Sequence, residues 1–263
     1  VHTVLARLRS THSSLDCTLG RAPFMGVKTG DNRRFFLDEQ EVRGGWLVTS
    51  DGERVPLEAV CRCVRGRDLK RWSVVASQWM LWPPRGGWTD PPEWLRTLAR
   101  NRGMKPEDVR LSFVRPEHVG IKVVWKDLSR GMAAAVLPDV VHVGEQAYPL
   151  VPNQTLYGID AASLDEAYAI SAVLNSTVAG ALLVCVAERA KDSHFRYFGR
   201  TVGAMPFADV GPAYDTLVRL ARRAHRGHDV SGEIDRVVAG LYGVSLRELE
   251  ILDAFLTRRL GAR

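Results

Sequence analysis

The run Gly26-Val27-Lys28-Thr29-Gly30-Asp31-Asn32-Arg33-Arg34-Phe35-Phe36 brackets a lysine and a threonine with glycines, then adds an amide and two arginines. These are side chains that hold phosphate or read polar edges. A P-loop needs Gly-x-x-x-x-Gly-Lys-Ser/Thr, so that successive amides wrap the phosphates and the lysine reaches them. Here only three residues separate Gly26 from Gly30, and Asp31 takes the place of the lysine. Nucleotide cradling is therefore disfavoured. Two readings stay open: a glycine-permitted turn feeding a strand at Phe35-Phe36, or that same turn presenting Lys28, Thr29, Asn32 and Arg33 outward.

Three further runs carry chemistry. Between Arg62 and Arg71 stand Arg65, Arg67 and Lys70, with Asp68 the lone acid. This is a solvated basic turn, a salt-bridged one, or a clamp for backbone phosphates. Asp90-Pro91-Pro92-Glu93-Trp94 approaches the Asn/Asp-Pro-Pro-aromatic motif of amino-methyltransferases, but Glu93 sits where the aromatic belongs. A helix started by proline is the better reading. Lys191-Asp192-Ser193-His194-Phe195-Arg196-Tyr197-Phe198 is basic and aromatic. His194 there has no serine or cysteine nucleophile with an orienting acid. His225 and His228 read as exposed residues of a basic helix. The five tryptophans between Trp72 and Trp94 read as core. No catalytic set and no metal-ligand spacing stands out.

The elements that must position these residues follow from ordinary globular composition. The chain has 263 residues, 46% hydrophobic and 25% charged, enough for a sizeable core. Its net charge of +6 tilts only mildly toward a polyanion. Four cysteines in this length suggest a reducing cytoplasm rather than a disulfide scaffold, and Cys61 and Cys63 read as buried thiols on one strand face. The longest apolar run, 178–187, is half the roughly 20 residues of a membrane span, so a soluble protein with no membrane partner is expected.

Strands are expected at 46–49, 73–82, 121–125, 132–137, 140–143 and 155–159, with 195–202 a strand or loop. Helices are expected after Pro91, after the Ser163 to Glu166 capping box, after Asn175-Ser176, and through 213–263. The fold class is α+β: a twisted, mainly antiparallel sheet region flanked by helices, with a helical C-terminal segment.

The order of these pieces resembles the C-terminal specificity domain of TaqI-like adenine-specific DNA methyltransferases and related type IIG restriction–modification enzymes. The match to a Gly-x-x-Thr-Gly-x-Asn-x-x-Phe turn rests on Gly26, Thr29, Gly30, Asn32 and Phe35. Arg65, Gly66, Arg67 and Asp68 match an Arg-Gly-Arg-Asp turn, and Leu174, Asn175 and Ser176 a helix junction. Tyr197 leading to Pro206, and the tail up to residue 252, complete the series.

The resemblance implies a connector at 1–23, a DNA target-recognition domain at 24–207 and a helical extension at 208–263. It implies double-stranded DNA as partner, with Lys28, Arg33, Arg34, Arg65, Arg67, Lys70, Arg71 and Arg196 on phosphates. Thr29 belongs to the same DNA-facing loop; Asn32 and His194 are candidates for base edges, and Gly26, Gly30 and Gly66 are turn formers. The family's catalytic half has no counterpart here. The resemblance thus implies an adenine methyltransferase domain or subunit, in the same or a separate chain, as a second partner. No cofactor is expected on this chain, and S-adenosylmethionine is implied for that catalytic domain. The main alternative is a basic protein-interaction module that docks a catalytic subunit or acidic partner. A small-molecule enzyme fits least, for want of a convergent site.

Overall fold

The computed structural model describes residues 1–75, 78–84 and 86–261. The architecture is α+β, as the spacing predicts. A four-stranded antiparallel sheet has the order Phe24–Met25, Leu156–Asp160, Lys122–Lys126, Ala134–Leu137. Its strands are covered on both faces, and alternate side chains sort between two cores. Val123, Trp125, Ala134, Val136 and Ile159 enter a large cluster with the helices. Val124, Ala135, Leu137 and Leu156 enter a smaller one with Val64, Leu69 and Leu150.

A five-stranded sheet has the order Val140–Val143, Gln146–Pro152, Val60–Val64, Gln78–Leu81, Phe36–Leu37. Gln146–Pro152 runs parallel to Val60–Val64, while the other ladders among the described residues are antiparallel. Cys61 and Cys63 are fully buried in its core, and burial pushes both thiols up in pKa. The strand expected at 73–82 is a hairpin arm Ser73–Val74 followed by Gln78–Leu81, with residues 76 and 77 outside the described residues. Between Gln146–Pro152 and Leu156–Asp160 the chain passes from the five-stranded to the four-stranded sheet in three residues, 153–155.

The helical layer joins the two ends of the chain. His2–Thr11 and Leu15–Leu19 pack into the same core as Leu164–Leu174, Thr177–Val184, Tyr214–His225, Ser231–Leu241 and Leu246–Leu260. Leu15 N–H donates to Met205 O at 2.8 Å, and Phe207 N–H donates to Ser13 O at 2.8 Å. Residues before 23, between 24 and 207, and after 207 all contribute side chains to this core. Residues 262 and 263 of the expected helical tail lie outside the described residues.

Local signals account for the helix starts. Ser163 Oγ accepts from Glu166 N–H, and Ser176 Oγ accepts from Ala179 N–H. The Glu166 carboxylate does not close the box on Ser163; it accepts from Ala162 N–H and pairs with Arg21. Pro92 is the extended N-cap of the helix Glu93–Asn101, one position before the first helical residue where a proline start would place it. Residues 195–202 divide into a strand, Phe195–Arg196, and a short helix, Gly199–Gly203.

No single described helix is long and apolar enough to cross a membrane. The apolar Thr177–Val184 helix is buried along its whole length. His225, expected on the surface, is instead half-buried at the end of its helix, because the open edge of the Ala134–Leu137 strand needs a partner. Its Nε2 accepts from Val136 N–H at 3.1 Å, and its ring meets Trp72 and Tyr168 edge-on.

Candidate nucleic-acid interface

One end of the two sheets gathers the segments singled out in the sequence. The strands Phe24–Met25 and Lys122–Lys126 leave the four-stranded sheet at the end where Leu156–Asp160 enters it. Val64 lies opposite Pro152, so the 65–68 turn emerges there too. The 153–155 turn is the hub. Asn153 N–H donates to Val64 O at 2.8 Å and Gln154 N–H to Val27 O at 3.0 Å. Gly66 N–H donates to Thr155 Oγ1 at 2.8 Å, and Asp127 N–H to Thr155 O at 3.2 Å. Tyr197 N–H continues the chain of bonds to Asp127 O at 2.7 Å. The opening loop, the basic turn and the Arg196 segment thereby share one rigid edge.

Within the opening loop, Lys28 is held by its backbone, whose carbonyl accepts from Ser112 Oγ at 2.7 Å and Ser112 N–H at 3.1 Å. Its side chain is exposed. Gly30 has φ +83°, a left-handed value that suits glycine. Asp31 Oδ1 then caps a single helical turn, Asn32–Phe35, by accepting from Arg33 N–H at 3.0 Å. The strand therefore starts at Phe36, one residue later than the aromatic pair suggests, because Phe35 still belongs to the helical turn. Thr29 is buried, and its hydroxyl donates to Asn32 Oδ1 at 2.8 Å. Arg33 is exposed, while Arg34 pairs with Asp31 at 3.3 Å.

Two of the three predicted glycine turns differ in cause. Gly26 has no left-handed φ; a Cβ built there would stand 2.2 Å from Asn153 O. Glycine is needed because two backbones press together. Gly66 likewise starts a 3-10 turn without positive φ, its N–H bonded to Thr155.

The basic run divides. Arg67 has a side chain 69% exposed, leaning on Asp68 at 3.7 Å, and Lys70 is exposed on the Leu69–Lys70 arm. Arg65 is largely covered: it pairs with Asp68 at 3.5 Å and lies over Phe36. Arg71 turns to the helical layer, where its guanidinium donates to Asn175 O. Of the four, Arg67 and Lys70 keep exposed charge at this end.

Arg196 pairs with Asp127 at 3.0 Å and is about two-fifths exposed. Burial raises the Asp127 carboxyl above its ordinary pKa, and Arg196 draws it back down. Arg196 and Arg200 each lie 5.6 Å from the Phe198 ring, and Arg200 is exposed. His194 sits in the tip of the hairpin between Glu188–Arg189 and Phe195–Arg196, its Nδ1 2.9 Å from Asp192 O.

Sequence reasoning misses Lys126, Gln154, Thr155 and Arg200. Pro152-Asn153 is a turn signal that places the hub, but nothing local marks it as the meeting point of distant segments. The tryptophans do not form one stripe. Trp79 is buried against Tyr148, Trp82, Trp88 and Trp94 line the same core, and Trp72 packs on the helical side. Among the described residues no group of three or more His, Cys, Asp or Glu is placed to hold a metal ion.

No protein-family model and no curated protein matches the chain. Solved structures do. A type IIL restriction–modification enzyme, MmeI, in complex with DNA aligns at TM-score 0.58 and 12% identity, over 91% of this chain and 35% of that one. The type IIG restriction endonuclease BpuSI aligns at TM-score 0.52 and 11% identity, over 98% of this chain and 33% of that one. The chain thus shares its fold with part of each and spans about a third of their length.

Proposed function

We propose that this chain is a target-recognition unit of a restriction–modification system and binds double-stranded DNA with the end of its two sheets. The observation that carries this reading is that the segments bearing Lys28, Arg67, Lys126 and Arg196 are all tied by hydrogen bonds to the 153–155 turn. Cations on a fixed backbone frame suit a polyanion with regular charge spacing, since phosphate contacts set register before any base is read. The fold shared with MmeI and BpuSI supports the same system, and MmeI is seen with DNA.

The finer reading is a specificity domain for adenine methylation of the TaqI-like or type IIG kind. A methyltransferase must extrude its target base at a cost of a few kcal/mol, which a recognition unit offsets by gripping the flanking duplex. S-adenosylmethionine would then serve a catalytic domain or subunit beside this one.

The test is the salt dependence of binding to a duplex. Arg67→Ala combined with Lys28→Ala removes two exposed cations and should flatten the slope of log K against log salt by about 1.8. Arg65→Ala should leave that slope close to wild type, since Arg65 is committed to Asp68. Absence of duplex binding, together with capture of an acidic partner, would replace this reading by the docking-module alternative.

A further inference from the structure

We infer that Gln154 reads the edge of an adenine in the DNA major groove; the inference rests on the DNA-binding reading above. Three observations single it out. First, its backbone is fixed: Gln154 N–H donates to Val27 O at 3.0 Å, and its neighbours Asn153 and Thr155 are bonded to Val64, Gly66 and Asp127. A base-reading group needs such a frame, because a loose one loses its geometry. Second, the residue is partly exposed, and no side-chain hydrogen bond of Gln154 is formed among the described residues. Third, the chain segments that carry Lys28, Arg67, Lys126 and Arg196 are tied by hydrogen bonds to the turn that carries Gln154, so cations suited to phosphates stand on the same frame.

The other two amides at this end have their oxygens engaged, and the Asn153 Nδ2 is buried without a partner. Asn32 Oδ1 accepts from Thr29 Oγ1 at 2.8 Å. Asn153 is 1% exposed, and its Oδ1 faces Thr155 N and Oγ1. Gln154 alone among these three keeps both a donor and an acceptor idle. That pair matches adenine N7 and N6–H₂, which a carboxamide meets in bidentate fashion.

Site selection from a random duplex library decides it, using the full 263-residue chain and its variants, each checked for a wild-type melting curve. Wild type should select a motif with adenine at one position. Gln154→Ala should flatten that position alone, with discrimination falling about 5- to 150-fold. Gln154→Glu, which keeps the side chain's shape, should move the preference toward cytosine, whose N4–H₂ a carboxylate accepts. Asn32→Ala should keep the motif. A motif unchanged in both Gln154 variants overturns the inference and leaves DNA binding standing, as does wild-type binding without sequence preference. No retention of any duplex by wild type overturns the DNA reading itself.

Discussion

Gly26 and Gly30 show how one residue type serves two purposes within five positions. At Gly30 the surrounding space is open and the constraint is φ +83°. At Gly26 the constraint is the Asn153 carbonyl, with O and C only 2.2 and 2.6 Å from where a Cβ would stand. Gly30→Ala should therefore cost about 1–2 kcal/mol of stability from strain alone. Gly26→Ala must push the opening loop off the 153–155 hub and should cost about 3 kcal/mol. Urea unfolding of the two variants gives the order; equal costs would mean that the two backbones separate easily. The same contrast explains why the arginines of the basic turn are hard to rank from sequence. Arg65, Arg67 and Arg71 look alike, yet Arg65 finds an acid three residues on and Arg71 a carbonyl 104 residues away.

At the scale of elements, the open edge of the four-stranded sheet shows what is legible and what is not. The capping serines Ser163 and Ser176 are visible in the sequence because capping is local. The Leu174-Asn175-Ser176 junction is visible as a break, but its purpose is not. Asn175 Oδ1 accepts from Ala134 N–H at 3.0 Å and its Nδ2 donates to Ala134 O at 2.8 Å, as a neighbouring strand would. His225 covers the next free amide, that of Val136, while its Nδ1–H donates to Ala221 O. The acceptor Nε2 requires a neutral ring, and burial lowers its pKa below 6.5, with the Ala221 carbonyl pulling the other way. Buried His118 is lowered in the same sense, first by burial. A group whose folded pKa is depressed binds more protons when unfolded, so its stabilising contribution is complete above about pH 6.5 and is lost as pH falls. Unfolding midpoints should drop from pH 7 to pH 5, and His225→Gln should shallow that drop. Identical pH profiles for variant and wild type would show that the Val136 contact does not depend on the neutral ring.

For the whole molecule, the two sheets are joined by more than the 153–155 turn, and the second joint is one that the sequence hides. Lys122 opens the strand Lys122–Lys126, and nothing in the strand pattern alone says which way its side chain faces. It is fully buried, because the second sheet packs over it, and its Nζ donates to Leu150 O at 3.0 Å across that interface. The parallel pairing that brings Leu150 there links segments far apart in the chain, which periodicity cannot reveal. Burial lowers the Lys122 pKa to about 7, against a smaller upward pull from Asp139. Between about pH 7 and the ordinary lysine value near 10.4 the unfolded chain holds a proton there that the folded chain has released. Stability from this site therefore rises with pH through that window. Lys122→Met fills the same space without the desolvation cost, at the loss of one hydrogen bond to Leu150. It should raise stability at pH 7 by about 2 kcal/mol, with the difference from wild type shrinking toward pH 10. Tyrosines and other groups that titrate in the window are common to both proteins, so the difference between two urea series isolates Lys122. A pH-independent difference would mean that the amine reaches water or an acid in the folded state and that the joint between the sheets is looser than the bond to Leu150 implies.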